Sequence, residues 1–349
     1  MFKFNAGFLF LAFLLLAGCA NQKGNKPAGT EKVKTISRQN AAVNYNDFYF
    51  VGVVKQDTGI LKYDFKSNRV KDVWSKRNEK VVELSYSPNR NAVFFLTAGD
   101  FGKKGVFPFI DNLKLYFINI DSGKVKFVKK LGSGLQVFTA WESDNTFKVI
   151  LNSFDNTVAN YVNRQTFIFS EFGRVLINES KTFDITKEGY PRPPEIKSNM
   201  QSPSGKYSIV PFDSLNTSIY LKNISGMKTY LITTGNQKLN QVEWTADGKY
   251  VIISTLNITP RNKTLYDKKP NTSCILVYSL NQKKILTGWS GGGIKNFFIT
   301  NDLLIFDDNF GNNSVIKIFS LKTFKLTNTI RIPGGCGLRN IPAIPDYSA

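Results

Sequence analysis

The sequence predicts an all-β fold: a β-propeller of six four-stranded antiparallel blades. Three observations predict it. Short apolar strands separated by turn residues run from about Ala41 to Pro333, with no amphipathic helix among them. The strands group into hairpins, and the hairpins come in pairs that recur six times. The recurrence has a period of roughly 40 to 60 residues, the size of one blade.

The clearest copy is VEWTADGKYVIIS, from Val242 to Ser254. Val242 and Trp244 alternate with polar neighbours, as a half-buried strand requires. Asp247-Gly248 supplies the positive φ of a tight hairpin turn. Tyr250 to Ile253 is continuously apolar, which suits a strand covered on both faces. In chain order, the equivalent turns are Asn46-Asp47, between AAVNY and FYFVGVV, then Pro88-Asn89-Arg90, Ser143-Asp144-Asn145, Pro203-Ser204-Gly205 and, last, Asn301-Asp302. Each first hairpin is followed by a second. These are GILKYDF with VKDVW, LKLYFINI with VKFVKKL, QTFIFS with VLINESKTF, SIYLKNI with TYLITT, CILVYSL with ILTGW, and VIKIFSL with LTNTIRI. A further unit with a decayed pattern would make the blade number seven. A pair of β-sandwiches is the other architecture these strands allow, and the regular four-strand period argues against it.

The amino terminus has a different character. Lys3 precedes a nine-residue apolar run, Phe8 to Leu16, too short to span a bilayer and of the length of a signal-peptide core. Leu16-Ala17-Gly18-Cys19 follows and resembles the lipobox of bacterial lipoproteins. That resemblance implies that residues 1–18 are a signal peptide and that Cys19 carries diacylglycerol and an acyl chain such as palmitate. Ala20, rather than Asp, then implies the outer membrane, facing the periplasm, in a didermal host. Residues 19–40 are polar and aperiodic and read as a tether, residues 41–333 as the propeller, and residues 334–349 as a tail extended along the surface.

SPNRN, SPSGK and TADGK, set between apolar strands, resemble the first hairpin of TolB-like, WD-type bacterial β-propellers. The second hairpins, with turns such as Asp121-Ser122-Gly123-Lys124, are similar to the outer strands of such blades. The resemblance covers residues 41–333 and implies an envelope protein that binds other proteins.

The chain has 349 residues, 42% of them hydrophobic, and a formal charge of +20, so it can bury a large core and attract anionic partners. It contains no histidine, which excludes Ser-His-Asp and Cys-His nucleophilic sites and His-ligated metals. Its three cysteines, Cys19, Cys274 and Cys336, form no CxxC pair. Cys274 and Cys336 either bridge the tail to a neighbouring blade or remain two buried thiols. Nucleic acid is not an expected partner, because the lipobox exports the protein and no RNA-reading motif or basic helix is present.

Long connections mark the candidate binding surface. The stretch from Asn257 to Ser273 carries Arg261, Lys263, Lys268 and Lys269 around Tyr266, a set suited to an anionic ligand or an acidic protein patch. Asp184 to Glu195 contains a proline-stiffened EGYPRPPE, with Tyr190 and Arg192 as contact residues. Gly99 to Asn112, with Phe101, Phe107 and Phe109, reads as a loop that either caps the core or forms a protein-binding patch, and capping is favoured. Asp307 and Asp308, with Asp100, Asp155 and Asp213 at equivalent strand ends, are the only positions that suggest carboxylate chemistry.

The expectation is a lipid-anchored protein-binding or scaffolding module in an envelope complex, not an enzyme, with no metal and no cofactor beyond the lipid on Cys19. The alternatives are a carboxylate-based, calcium-dependent hydrolase or lyase acting on glycan or lactone, and a polyanion-binding surface protein.

Overall fold

A computed structural model describes residues 47–88, 90–104, 107–154, 160–188, 201–211, 218–224, 229–233, 237–257, 272–292, 296–300, 302–308, 313–334 and 337–338. The described residues are almost entirely strand and form six antiparallel sheets. Sheet 1 holds β1 (Asp47–Val54), β2 (Asp57–Asp64) and β3 (Arg69–Ser75). Sheet 2 holds β4 (Lys80–Tyr86), β5 (Ala92–Ala98), β6 (Asp100–Lys104), β7 (Phe107–Asn119) and β8 (Val125–Gly134). Sheet 3 runs β9 (Gln136–Ser143), β10 (Thr146–Phe154), β11 (Tyr161–Ser170) and β12 (Val175–Asp184), followed by one helical turn, α1 (Ile185–Glu188). Sheet 4 is β13 (Tyr207–Pro211), β14 (Ser218–Asn223) and β15 (Thr229–Thr233). Sheet 5 is β16 (Gln237–Trp244), β17 (Tyr250–Asn257), β18 (Thr272–Ser279) and β19 (Lys284–Gly292). Sheet 6 is β20 (Phe297–Thr300), β21 (Leu303–Asp308), β22 (Asn313–Ser320) and β23 (Lys325–Pro333).

Each sheet uses consecutive strands, three of the six having four described strands, and this succession of antiparallel units is a propeller arrangement. The packing agrees. Strands such as β1 alternate in which neighbour they face, because successive side chains point to opposite sides. Phe48 and Phe50 pack with Ile305, Ile316 and Ile330 of sheet 6, whereas Tyr49 and Val51 pack with Leu84, Phe95 and Ile118 of sheet 2. Phe94 of sheet 2 stacks on Phe147 of sheet 3, with ring centroids 4.8 Å apart. Sheets 4 and 5 share Ile219 and Val251, and sheets 5 and 6 share Ile275 and Phe306. The first sheet thus packs on the last.

The repeat is visible at finer grain than the sequence motif. The last two strands of sheets 1, 3, 5 and 6 share one register shift each, at Ile60/Leu61, Ile168/Phe169, Val277/Tyr278 and Ile318/Phe319. A bulge there increases the local twist of the outer strand.

Two features differ from the sequence reading. Gly99 to Asn112 is not a loop: β6 pairs with the first part of β7, placing Phe101 opposite Ile110, and the half-buried Phe101 packs on the core between sheets 2 and 3. The apolar cross-strand pair holds a hairpin that the glycines and lysines of the segment conceal in the sequence. The start of the tail is not on the surface. Gly337 and Leu338 are buried, and Val51 N donates to Gly337 O at 2.8 Å. AAVNY, which the sequence places beside β1, lies outside the described residues.

Candidate functional site

Three first-hairpin turns share one hydrogen-bond pattern. In each, the backbone N–H of a Ser or Thr donates to the carbonyl of the residue five positions on: Ser87 to Ala92, Ser202 to Tyr207, and Thr245 to Tyr250. Its hydroxyl oxygen also accepts from that residue's N–H. The fourth turn residue donates its N–H back to the Ser or Thr carbonyl and has positive φ. In two of the turns that residue is glycine, Gly205 (φ 69°) and Gly248 (φ 67°), and in the third it is Arg90 (φ 62°). A non-glycine residue there costs about 1 kcal/mol of backbone strain.

The Arg90 side chain offsets that cost. Its guanidinium lies over the rings of Tyr86 and Phe298, 5.5 and 4.7 Å from their centroids, and donates to Glu243 Oε1 at 3.1 Å. Arg90 follows β4 of sheet 2, Phe298 is in β20 of sheet 6, and Glu243 is in β16 of sheet 5. The Tyr86 hydroxyl donates to Tyr49 O at 2.8 Å and accepts from Tyr49 N, which brings in sheet 1. One guanidinium thus connects sheets that are not sequence neighbours. The small cavity beside it, with a volume of about 20 Å³, is lined by Asp47, Tyr49, Tyr86 and Phe298 among others and has room on the order of one water.

Along the first strands, side chains form cross-sheet rungs at a constant sequence separation of 56 residues. Thr139 Oγ1 donates to Glu83, and Trp141 Nε1 donates to Ser85 Oγ at 3.1 Å. In the other half of the chain, Gln241 Nε2 donates to Phe297 O at 2.8 Å, and Glu243 Oε1 accepts from Ile299 N at 3.4 Å. Burial pushes the Glu243 carboxyl above its ordinary pKa, and Arg90 and the Ile299 N–H oppose that rise only in part.

At the other end of β4, Glu79 is 4% exposed and accepts from Lys114 Nζ at 2.6 Å, Tyr116 OH at 2.9 Å and Thr97 Oγ1 at 3.0 Å. Lys76 Nζ lies 2.7 Å away. Burial alone would raise its pKa, but these donors outweigh burial and hold it at about 2.

The carboxylates singled out from sequence are engaged. Asp307 is fully buried: its Oδ1 accepts from Asn296 N at 2.7 Å, and its Oδ2 accepts from Leu338 N at 3.0 Å, tying the tail to sheet 6. Asp308 pairs with Lys317 at 2.8 Å, and the exposed Asp100 with Lys80 at 2.6 Å. Among the described residues, no group of three or more Cys, Asp or Glu is placed to hold a metal ion. Cys274 is half-buried in β18, and its proposed partner Cys336 lies outside the described residues. So do Cys19, Tyr190, Arg192, Arg261, Lys263, Tyr266, Lys268, Lys269, Asp155 and Asp213.

Sequence reading missed the Arg90–Glu243 pair, whose members lie 153 residues apart. One signal could have found it: an arginine where the sister turns have glycine.

No family model matches the chain. No curated protein matches it either. Among solved structures it is similar to TolB from Acinetobacter baumannii, at 13% identity and a TM-score of 0.43, over 84% of this chain and 65% of that one. It is also similar to a periplasmic gluconolactonase from Pseudomonas aeruginosa, at 9% identity and a TM-score of 0.47, over 86% of this chain and 100% of that one. A third is a putative TolB from Agrobacterium tumefaciens, at 11% identity and a TM-score of 0.39, over 85% of this chain and 93% of that one. Likeness this distant says nothing of what this chain binds.

Proposed function

We propose that the protein is a lipid-anchored, six-bladed β-propeller of the bacterial envelope, held by acyl chains on Cys19, that binds another envelope protein rather than transforming a substrate. The observation that carries this reading is how its acids are used. Asp307, Asp308, Asp100, Glu79 and Glu243 are each engaged by lysine, arginine or backbone N–H groups that join strands or sheets. Acids used in this way hold the framework together, and a general acid or nucleophile needs one left available to substrate. LAGC directly after the apolar run supports the anchor, and the outer membrane of a didermal host is the location it implies.

By strand direction, β10, β12 and β17 end, and β11 and β18 begin, at the end of their sheets opposite the first-hairpin turns such as that of Arg90. That end is the proposed docking face, with the cations of the Asn257–Ser273 stretch meeting an acidic partner surface. Crosslinking in intact membranes followed by mild-detergent purification tests this. One stoichiometric envelope partner is expected, lost when Arg261, Lys263, Lys268 and Lys269 are together changed to Glu. Calcium-dependent turnover of a lactone or glycan, abolished by Asp307→Asn and without any partner, would overturn the reading in favour of a hydrolase.

A further inference from the structure

We propose that the outer edge of sheet 3, strand β12, is a self-association surface on which a second copy of this chain pairs antiparallel. The inference is independent of the docking reading above. In β12 every residue from Val175 to Thr182 is exposed, whereas the longest exposed runs in β3 and β23 are four and three residues. Of the twelve large hydrophobic side chains exposed among the described residues, four fall within six positions of this hairpin: Phe172 at 67%, Val175 at 40%, Leu176 at 49% and Ile177 at 43%. β12 also ends its sheet, so one edge of its backbone is not used by the β11 ladder. A long, exposed, apolar edge strand is a template for another strand.

Charge selects the occupant. The other outer strands with described side chains are net basic: Arg69 and Lys71 against Asp72 in β3, Lys126, Lys129 and Lys130 in β8, Lys284 in β19, and Lys325 and Arg331 in β23. In a chain of formal charge +20, two such edges repel. β12 alone among them is balanced, with Glu179 against Lys181, because Asp184 already pairs with Lys187 at 3.4 Å. Among the described residues, neither Glu179 nor Lys181 has an ion-pair partner. Lys181 instead faces Arg164 across the strand pair, both cations over the Phe183 ring at 4.5 and 5.1 Å. Like charges directly opposite one another are unfavourable.

An antiparallel pair centred on Ser180 resolves this. It sets Glu179 opposite the second copy's Lys181, Lys181 opposite its Glu179, and Ile177 opposite its Phe183. The two-fold axis applies every favourable pair twice. An unrelated strand would have to reproduce this pattern by coincidence, whereas a second copy carries it.

Because Ser180 meets its own copy in this register, Ser180→Cys places two thiols within disulfide range. The test uses the full chain in membranes under mild oxidation, read as the disulfide-linked dimer fraction. Ser180→Cys should crosslink well above Lys71→Cys, a control on the exposed edge of β3. In the Ser180→Cys background, Glu179→Lys or Lys181→Glu alone should cut the dimer fraction about fivefold, since each change acts twice across the axis. The two changes together, which restore opposite charges, should return it. No dimer, equal crosslinking at both cysteines, or single reversals without effect would overturn the proposal. So would a double reversal that fails to restore the dimer.

Discussion

The two ends of β4 solve one problem in different ways. At each a carboxylate lies in reach of a cation, the buried Glu79 at one end and the partly exposed Glu243 of β16 at the other, yet Glu79 is held at a pKa of about 2 while Glu243, beside Arg90, is pushed upward. The difference is the number of donors. Glu79 has two lysines, a tyrosine and a threonine, most of them within its own sheet. Glu243 has one guanidinium from a distant sheet and one long backbone bond. Burial is offset where donors are many and local, and is left partly uncompensated where one contact must span sheets. The Glu79 end is therefore a fixed anchor, and the Arg90 end is a contact held at some cost.

The largest effect should come from removing the anchor. Glu79→Ala leaves Lys114 and Tyr116 without their acceptor and should lower unfolding free energy by about 3 kcal/mol in a denaturant titration. Arg90→Ala should cost less, about 2 kcal/mol, because both partners are roughly a fifth exposed. Arg90→Gly should recover about 1 kcal/mol of that loss by relieving the positive φ. If Gly and Ala variants were equally stable, the strain argument would fail.

The two carboxylates should also respond to pH in opposite directions. The Glu79 pKa is depressed from 4.5 to about 2, so its contribution is complete above pH 4.5 and is lost as pH falls toward 2. Glu243 is raised, so folding disfavours its charged form and stability falls as pH rises through the carboxylate range. Stability measured against pH should show Glu79→Gln losing ground on wild type as pH rises and Glu243→Gln gaining ground. Slopes of the same sign would contradict the comparison. The smallest effect should be Gly248→Ala, about 1 kcal/mol, which places a Cβ at φ 67° where Arg90 already bears one.

Much of the fold was legible in the sequence. All six second hairpins lie where the alternating apolar segments put them, because a strand pair with a short turn is specified by local residues. What was not legible is what joins distant segments. The hydrogen bond from Val51 to Gly337 and the Leu338 bond to Asp307 come from a tail without periodicity. The β6 hairpin is hidden behind Gly102, Lys103 and Lys104, which read as loop residues although Phe101 pairs with Ile110. Asp307 drew notice as a strand-end acid, but only its surroundings reveal that it accepts from two backbone N–H groups. The composition of the cationic stretch around Tyr266 says which ligand charge would suit it but not which groups converge.

The central claim is that the first and last sheets meet and that the tail fastens them. Hydrogen exchange at the Val51 amide, compared between the full chain and a chain ending at Pro333, tests it most directly. The account predicts strong protection in the full chain, its loss in the truncated chain, and a fall in unfolding free energy of about 2 kcal/mol or more as Asp307 loses the Leu338 N–H. Equal protection and equal stability in the two chains would contradict it.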